Sequence, residues 1–432
     1  MYSDRNHNTQ DKTAKKNLLI YAHYYYPDVA STGQILKELA EGLTDSFHVT
    51  VISVVPSYTG VIDPRYKTQS YFHENINGVD VLRVKTTEFS KGNKLSRIKN
   101  ILTYFFRAIR ATGKVGRIDY VYTISQPPIL GGILGVVGKW LKHAKLIYNI
   151  QDFNPEQIMA VNYSKNKLLL KFMKELDKFC CQRANRVIVV GRDMVETLKR
   201  RFNGKKVPNY CFINNWIDEK EIYPLEESND RVTEFKRKYG LEGKFVIMYS
   251  GNLGLYYDLE NLMVVIEKFK DLKDTVFAFV GDGSVRERLV QYKETHEMGN
   301  VVFIPYQDKE ALIYSLNAGN VHWVVNAKGI KGVSVPSKLY GVMATGKPVI
   351  GVLEEGSEAR IIIEETGCGY VVEPSNYAGI ENIIRKILDD RNSKGMDMDY
   401  LAEMGRQGRE YLARNLTKDI SIIKYKNAIL GS

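Results

Sequence analysis

Short unbroken apolar runs alternate along this chain with longer stretches in which apolar residues return every third or fourth position. The first kind predicts strands buried on both faces, and the second predicts amphipathic helices laid against them. In the first half, strands are expected at residues 17–22, 49–54, 79–84, 120–123, 145–150 and 187–190. Helices are expected there at 34–43, 129–141, 165–183 and 193–201. The second half repeats the pattern, with strands at 245–250, 276–280, 301–304, 321–325 and 348–352. Its helices are expected at 259–269, 285–294, 309–316 and 337–344, with helix from there to the end of the chain. Strands separated by helices argue for parallel, doubly wound sheets, so the fold class is α/β with two Rossmann-like domains. Residues 214–227 are polar, contain Pro224 and read as the linker. Open sheets of this kind hold ligands outside the carboxyl ends of their strands, so the expected site is a cleft between two facing domains.

A length of 432 residues suits two or three such domains. Hydrophobic residues at 44% and charged residues at 26% exclude wholesale disorder. No apolar run reaches the roughly 18 residues of a membrane-spanning helix, and the best, 129–137, holds three glycines. The first 17 residues are polar and lack the apolar region of a secretory signal. Cys180, Cys181, Cys211 and Cys368 show no metal-type spacing, and a vicinal pair is a poor disulfide, so a reducing cytoplasm is expected.

Charge changes the picture more. Residues 1–225 carry 34 basic and 20 acidic side chains, a balance of +14, whereas residues 226–432 carry 27 and 30, a balance of −3. The excess points to an anionic partner of the first half, or to simple solubility. Between Phe89 and Ile118 there is no acidic residue, yet Lys91, Lys94, Arg97, Lys99, Arg107, Arg110, Lys114 and Arg117 are present. Leu95, Ile98, Ile101, Leu102, Phe105, Phe106 and Ile109 recur among them at helical spacing. This is an amphipathic helix with a basic face, which fits either a membrane surface or a core-packed helix with a solvated side. No nucleic-acid recognition motif accompanies it, and nucleic acid is not expected as a partner.

Five segments in order carry a family likeness. They are Tyr24-Tyr25-Tyr26-Pro27 through Gly33, Asn149-Ile150-Gln151-Asp152-Phe153-Asn154-Pro155-Glu156, and Ile213-Asn214-Asn215-Trp216-Ile217-Asp218 through Pro224. Gly281-Asp282-Gly283-Ser284 follows, and then Val335-Pro336-Ser337-Lys338-Leu339-Tyr340 with Met343-Ala344-Thr345-Gly346-Lys347-Pro348. With these, nearly the whole chain resembles bacterial glycosyltransferases of family 4 with the GT-B fold, in the branch that builds capsule, exopolysaccharide and O-antigen units.

The resemblance implies a domain at 1–218 on the acceptor side, a donor domain at 219–405, and a C-terminal helix at 406–432 crossing back to the first domain. It implies transfer of a sugar, with retention and without a metal, from a nucleoside-diphosphate sugar to a polyprenyl-diphosphate-linked acceptor. The donor is expected to be a UDP-sugar, an N-acetylated amino sugar among the candidates, used as substrate with no cofactor. The enzyme is expected at the inner face of the cell membrane, with Lys94, Arg97, Phe105, Phe106, Arg107 and Arg110 meeting lipid or acceptor.

Thr32 and Gly33 would face the donor diphosphate, unless Gly33 is an ordinary turn glycine. Asp152 and Glu156 are the catalytic candidates, and the pair could equally cap a helix. Ser250, Gly251, Asn252, Gly281 and Asp282 sit on loops where the donor is expected, with Pro305 and Tyr306 bordering its base. Ser337 and Lys338 open a helix, where Lys338 could clamp the diphosphate or be a solvated lysine. His23 is expected to be structural.

Two departures stand out. Asn252 and Tyr257 occupy the places where the family carries a diphosphate-binding arginine and lysine, which turns attention to Lys338, Lys331 and Lys328. Val333 and Gly341 stand where the family has paired glutamates, and Glu358 is the candidate substitute for the ribose-binding one. These losses keep two alternatives open: a UDP-sugar epimerase on the same fold, and a non-catalytic subunit that binds a sugar nucleotide.

Overall fold

The structure is a computed structural model that describes residues 15–28, 31–90, 92–161, 166–394 and 399–432. Most of the polar N-terminal stretch and Lys91 of the basic segment lie outside the described residues. The chain divides into two compact units between Ile147 and Tyr148.

The first unit begins with β1 (Lys16–Ala22), α1 (Ser31–Gly42), β2 (Phe47–Val54), β3 (Tyr71–Ile76) and β4 (Val79–Val84). It continues with α2 (Lys94–Lys114), β5 (Tyr120–Ile124), α3 (Leu130–Lys142) and β6 (Lys145–Ile150), inside which the division falls. Its strands lie in the order β3-β4-β2-β1-β5, with β6 next. The pairings β1-β2, β1-β5 and β2-β4 are parallel, and β3 with β4 is an antiparallel hairpin in register from Tyr71 opposite Val84 to Ile76 opposite Val79. Leu18, Leu19 and Ile20 of central β1 are fully buried, as an unbroken apolar run requires between two layers. Strand β3 went unpredicted because its sequence YFHENI is polar, as suits a sheet edge. Helix α3 lies directly on the sheet. A Cβ on Gly135 would come 2.4 Å from the Thr123 methyl, and one on Gly138 would come 2.6 Å from the Tyr21 hydroxyl.

Helix α2 starts where the Asn93 side chain accepts from Leu95 N and Ser96 N. Its buried face is Asn100, Tyr104, Ala108, Ala111 and Thr112. Leu95, Ile98, Leu102 and Phe106 stay exposed, and Phe105 is half-buried beside the Phe106 ring.

The second unit continues from β6 with α4 (Glu156–Ala160), α5 (Lys167–Arg183), β7 (Arg186–Val189), α6 (Arg192–Arg201), β8 (Tyr210–Phe212) and α7 (Asp230–Lys238). Then come β9 (Phe245–Ser250), α8 (Leu259–Glu267), β10 (Thr275–Val280), α9 (Arg286–Thr295), β11 (Val301–Ile304) and α10 (Lys309–Ala318). The rest is β12 (Val321–Val325), α11 (Lys338–Ala344), β13 (Val349–Val352), α12 (Glu358–Thr366), β14 (Gly369–Val372), α13 (Tyr377–Lys394), α14 (Asp399–Asn415) and α15 (Lys418–Leu430). Strands β7 and β8 pair in parallel, and β9 to β14 form a sheet in the order β11-β10-β9-β12-β13-β14. Phe245, Ile247, Tyr249, Phe277, Phe279 and Trp323 pack on one face against Met263 and Ile266. Val246, Met248, Val276 and Ala278 pack on the other against Val232 and Phe235.

Two expectations are corrected here. The C-terminal region is not unbroken helix: Gly367, at φ +66°, ends α12, and the short strand β14 follows. The last helix is also two helices, because Thr417 caps a fresh start by accepting from Ile420 N. Helix α15 packs its Tyr425 ring near Trp216 and its hydroxyl near Asn149, and Arg186 donates to the Gly431 carbonyl.

Candidate functional site

In the second sheet the chain leaves β9 toward β10 on one side and returns to β12 on the other. Loops at the carboxyl ends of β9 and β12 therefore diverge, which is where open α/β sheets take ligands. The ladder continues past the strand ends: Gly251 N donates to Val280 O, Leu253 N to Asp282 O and Val285 N to Leu253 O. This close stitching demands glycine at Gly281, which has φ +136° and whose Cβ would lie 2.1 Å from Gly251 O. Asn252 and Asp282 are exposed on these loops, and Asp282 accepts from Gly283 N within its own turn. Pro305 and Tyr306 follow β11 and are exposed, as is Ser337; Ser250 is half-buried.

Lys338, the first residue of α11, reaches back into this opening. Its Nζ donates to the Tyr249 hydroxyl at 2.6 Å, and that hydroxyl donates onward to the Asn252 carbonyl at 2.7 Å. The ammonium lies 4.1 Å from the centre of the Tyr249 ring and 3.7 Å from that of Tyr257. A Cβ on Gly251 would lie 3.5 Å from Lys338 Cε, so the open backbone of Gly251 borders the amine. Burial pulls the Lys338 ammonium down to about 7. Among the described residues no carboxylate pairs with it. The aromatic faces partly offset the lost hydration of the ammonium.

The segment after β6 meets the loop before α11. Asp152 forms an antiparallel bridge with Ser334, and Phe153 N donates to Val333 O at 2.8 Å. Asp152 is half-buried, and its charge, after burial itself, helps push the Tyr257 phenol up to about 12. Tyr257 is thus shared by Lys338 and the field of Asp152. Glu156 is differently placed. It pairs with the fully buried Arg201 and at 3.8 Å with Lys174. Arg201 also pairs with Asp177, donates to Asn154 O and lies 4.7 Å from the centre of the Phe153 ring. Asp177 in turn accepts from the Tyr148 hydroxyl. This network holds the segment 153–156 from beneath.

The loop between β12 and α11 is held by carboxylates that accept from its backbone. Asp193 accepts from Gly332 N at 2.7 Å, and Glu354 accepts from Gly329 N and Lys331 N at 2.9 Å each. Lys331 Nζ donates to the Glu355 carbonyl, while Lys328 is exposed. Glu358 is buried, with one oxygen accepting from Arg192 N and Nε and the other from Asn214 Nδ2. Both of its oxygens are occupied by protein donors.

In the first unit, Thr32 and Gly33 stand near the carboxyl ends of β1 and β5. Thr32 donates to Gln126 Oε1 at 2.9 Å, and a Cβ on Gly33 would meet Tyr24 O at 3.2 Å. His23 is buried against Tyr24 and Tyr104, and burial lowers its pKa to about 4. Lys94, Arg97 and Arg110 of α2 are exposed, while Arg107 donates to the Lys85 carbonyl. Among the described residues no group of three His, Cys, Asp or Glu side chains is placed to hold a metal ion.

Sequence reasoning singled out Lys338 and Asp152, which the second unit brings to Tyr257, and Gly251, which borders Lys338. It missed Tyr249 and Arg201. Tyr249 lies inside an apolar strand run, where a tyrosine reads as core, and Arg201 reads as the charged end of a helix.

Two family models match in succession: a glycosyl transferase 4-like domain over residues 32–216 and glycosyl transferases group 1 over residues 231–410. A Pseudomonas aeruginosa protein named "Probable glycosyltransferase WbjE" is 28% identical over 410 residues, covering 93% of this chain and 92% of the relative. WcaI of Escherichia coli, named for a glycosyl transferase of colanic acid biosynthesis, is 23% identical over 430 residues, covering 96% and 100%. The crystal structure of HepE from Anabaena, in complex with UDP and glucose, superposes with a TM-score of 0.67 at 14% identity, covering 96% and 100%.

Proposed function

Because this chain belongs to the bacterial family 4 glycosyltransferases of the GT-B fold, we propose that it moves a sugar from a UDP-sugar to a polyprenyl-diphosphate-linked acceptor. The product would enter a cell-surface polysaccharide, as the name of WcaI suggests for that relative, and the UDP bound by HepE supports the choice of nucleotide. The observation that carries the reading is Lys338: a half-buried ammonium, without a carboxylate partner among the described residues, at the switch point of the second sheet.

In the reaction the bond from the anomeric carbon to the diphosphate oxygen breaks and a bond to the acceptor hydroxyl oxygen forms. Negative charge grows on the departing UDP, and Lys338 neutralises it without needing to reorganise. This cation takes the part that Asn252 and Tyr257 cannot. Asp152 accepts a hydrogen bond from the acceptor hydroxyl or orients the donor sugar, while Glu156, tied to Arg201, shapes the segment. No metal is required in this scheme, and the anomeric configuration is retained. The exposed Leu95, Ile98, Leu102 and Phe106 of α2, with Lys94, Arg97 and Arg110 beside them, bring the enzyme to an anionic membrane where the lipid-linked acceptor resides.

The test is UDP release from a panel of UDP-sugars, with and without a membrane extract containing polyprenyl-diphosphate sugars. Acceptor-dependent release from one donor supports the transferase. Interconversion of a UDP-sugar without acceptor would replace it with an epimerase, and UDP binding without either reaction would leave a silent binding subunit.

A further inference from the structure

The second unit carries an apolar surface that neither the donor site nor α2 accounts for. At the start of α5, Leu168 is 81% exposed, Leu169 48% and Phe172 61%. Positions 168, 169 and 172 share one helix face. The opposite face is the buried one, made by Leu170, Asp177, Cys180 and Cys181. Lys167 and Lys171 flank the exposed apolar side chains on one side, no acidic residue occurs from Asn166 to Lys174, and the exposed Glu175 follows one turn after Phe172. Lys167 and Lys171 make no ion pair among the described residues. Met159 of α4 is a further exposed apolar side chain, at 52%.

We infer that the first half of α5 is a second membrane-contacting element, whose Leu168, Leu169 and Phe172 enter the headgroup region of an anionic bilayer while Lys167 and Lys171 meet its phosphates. Charge selects this occupant. An apolar patch edged by Lys167 and Lys171 complements a surface of phosphate diesters, with the lysine stems lying along the acyl boundary. A second copy of the chain is a poor match, because a two-fold interface would set these lysines against their own equivalents. The geometry also gives the contact a purpose. Lys174 reaches Glu156, so the docked helix adjoins the segment that holds Asp152. A lipid-linked acceptor would then be presented next to the bilayer from which it emerges. Only this purpose rests on the proposed transferase reading; the surface itself does not.

The experiment uses the full chain and phosphatidylcholine vesicles with and without phosphatidylglycerol. Leu168→Ser with Phe172→Ser is compared with Ile98→Ser with Phe106→Ser on α2, and with the unaltered protein. All four positions are exposed, and unchanged melting curves and UDP binding verify that each variant is folded. The α5 variant is expected to lose on the order of tenfold in partition to anionic vesicles. A tryptophan at Leu168→Trp should shift its emission to the blue with those vesicles and be quenched by brominated lipid. Loss of binding in the α2 variant with none in the α5 variant would overturn the inference and leave the transferase reading intact. Self-association in the absence of lipid that Phe172→Ser abolishes would assign the patch to a second copy and overturn it as well. Vesicle binding by no form of the protein, with transfer intact, would remove membrane contact from both elements.

Discussion

The ammonium of Lys338 stands 3.7 Å from the centre of the Tyr257 ring, and Tyr257 occupies the chain position where the family resemblance leads one to look for a lysine. The cation comes from the start of α11, and the aromatic face at position 257, in the loop after β9, helps to hold it. The hydroxyl of Tyr249 fixes the amine from the other side.

Binding of UDP should therefore take up a proton. Burial holds the free Lys338 ammonium at about 7, and a bound diphosphate favours the charged form, raising that value. Affinity is then full below pH 7 and falls as pH rises through it, by up to about tenfold per unit. Calorimetry in buffers of different ionisation enthalpy should show the uptake, and Lys338→Met should abolish both it and the pH slope. An equal slope in Lys338→Met would remove Lys338 from the diphosphate site.

Replacing Tyr257 with leucine keeps an apolar side chain and removes the ring quadrupole. The loss should be about 0.5–2 kcal/mol of cation stabilisation, read as several-fold weaker UDP binding and a Lys338 titration moved to lower pH. Tyr249→Phe should act in the same direction by removing the hydroxyl that accepts from Nζ. Unchanged UDP affinity in both variants would separate the tyrosines from donor binding.

The two acidic candidates should behave oppositely. Asp152→Asn is expected to lower turnover strongly while leaving UDP affinity nearly unchanged, since Asp152 is linked to the segment rather than to Lys338 itself. Glu156→Gln weakens the tie to Arg201, so its effect should be seen in thermal stability before turnover. The reverse pattern would exchange their roles.

Arg201→Ala leaves Asp177 and Glu156 without their buried partner, a kind of loss that costs about 3–5 kcal/mol. Urea unfolding followed by a probe in the second unit should show a transition at lower denaturant, whereas Arg201→Lys should recover only part of the loss because it lacks the planar fork.

Much of this molecule was legible as pattern. Strands β4, β6, β9, β11 and β12 fall at the residues expected, and β9 shows why: a parallel strand covered on both faces leaves an apolar run, here Phe245–Tyr249. The edge strand β3 was invisible for the converse reason, and β14 because helical spacing on either side of Gly367 reads as continuous. In α2 the largest apolar side chains are not the ones that pack inward: Tyr104, Ala108 and Ala111 serve the core, and Phe106 does not. Lys338 and Asp152 could be picked out from residue type and motif, and the structure places both beside Tyr257. The site was not legible where chemistry depends on contact between distant positions. No spacing rule links Tyr249 to Lys338, or Arg201 to Glu156, because each pair is joined only by the fold.

The loop between β12 and α11 has one more consequence, for how such enzymes diversify. Asp193 and Glu354 grip the backbone N–H groups of Gly332, Gly329 and Lys331, and thus fix its path without reading its side chains. At Gly332 a Cβ would come 2.4 Å from the Thr197 hydroxyl, so that position is closed to drift. Lys328 and Lys331 are open to it. Mutation can rewrite what those two positions present while the two carboxylates keep the loop in place, so new preferences can be sampled without first being stabilised.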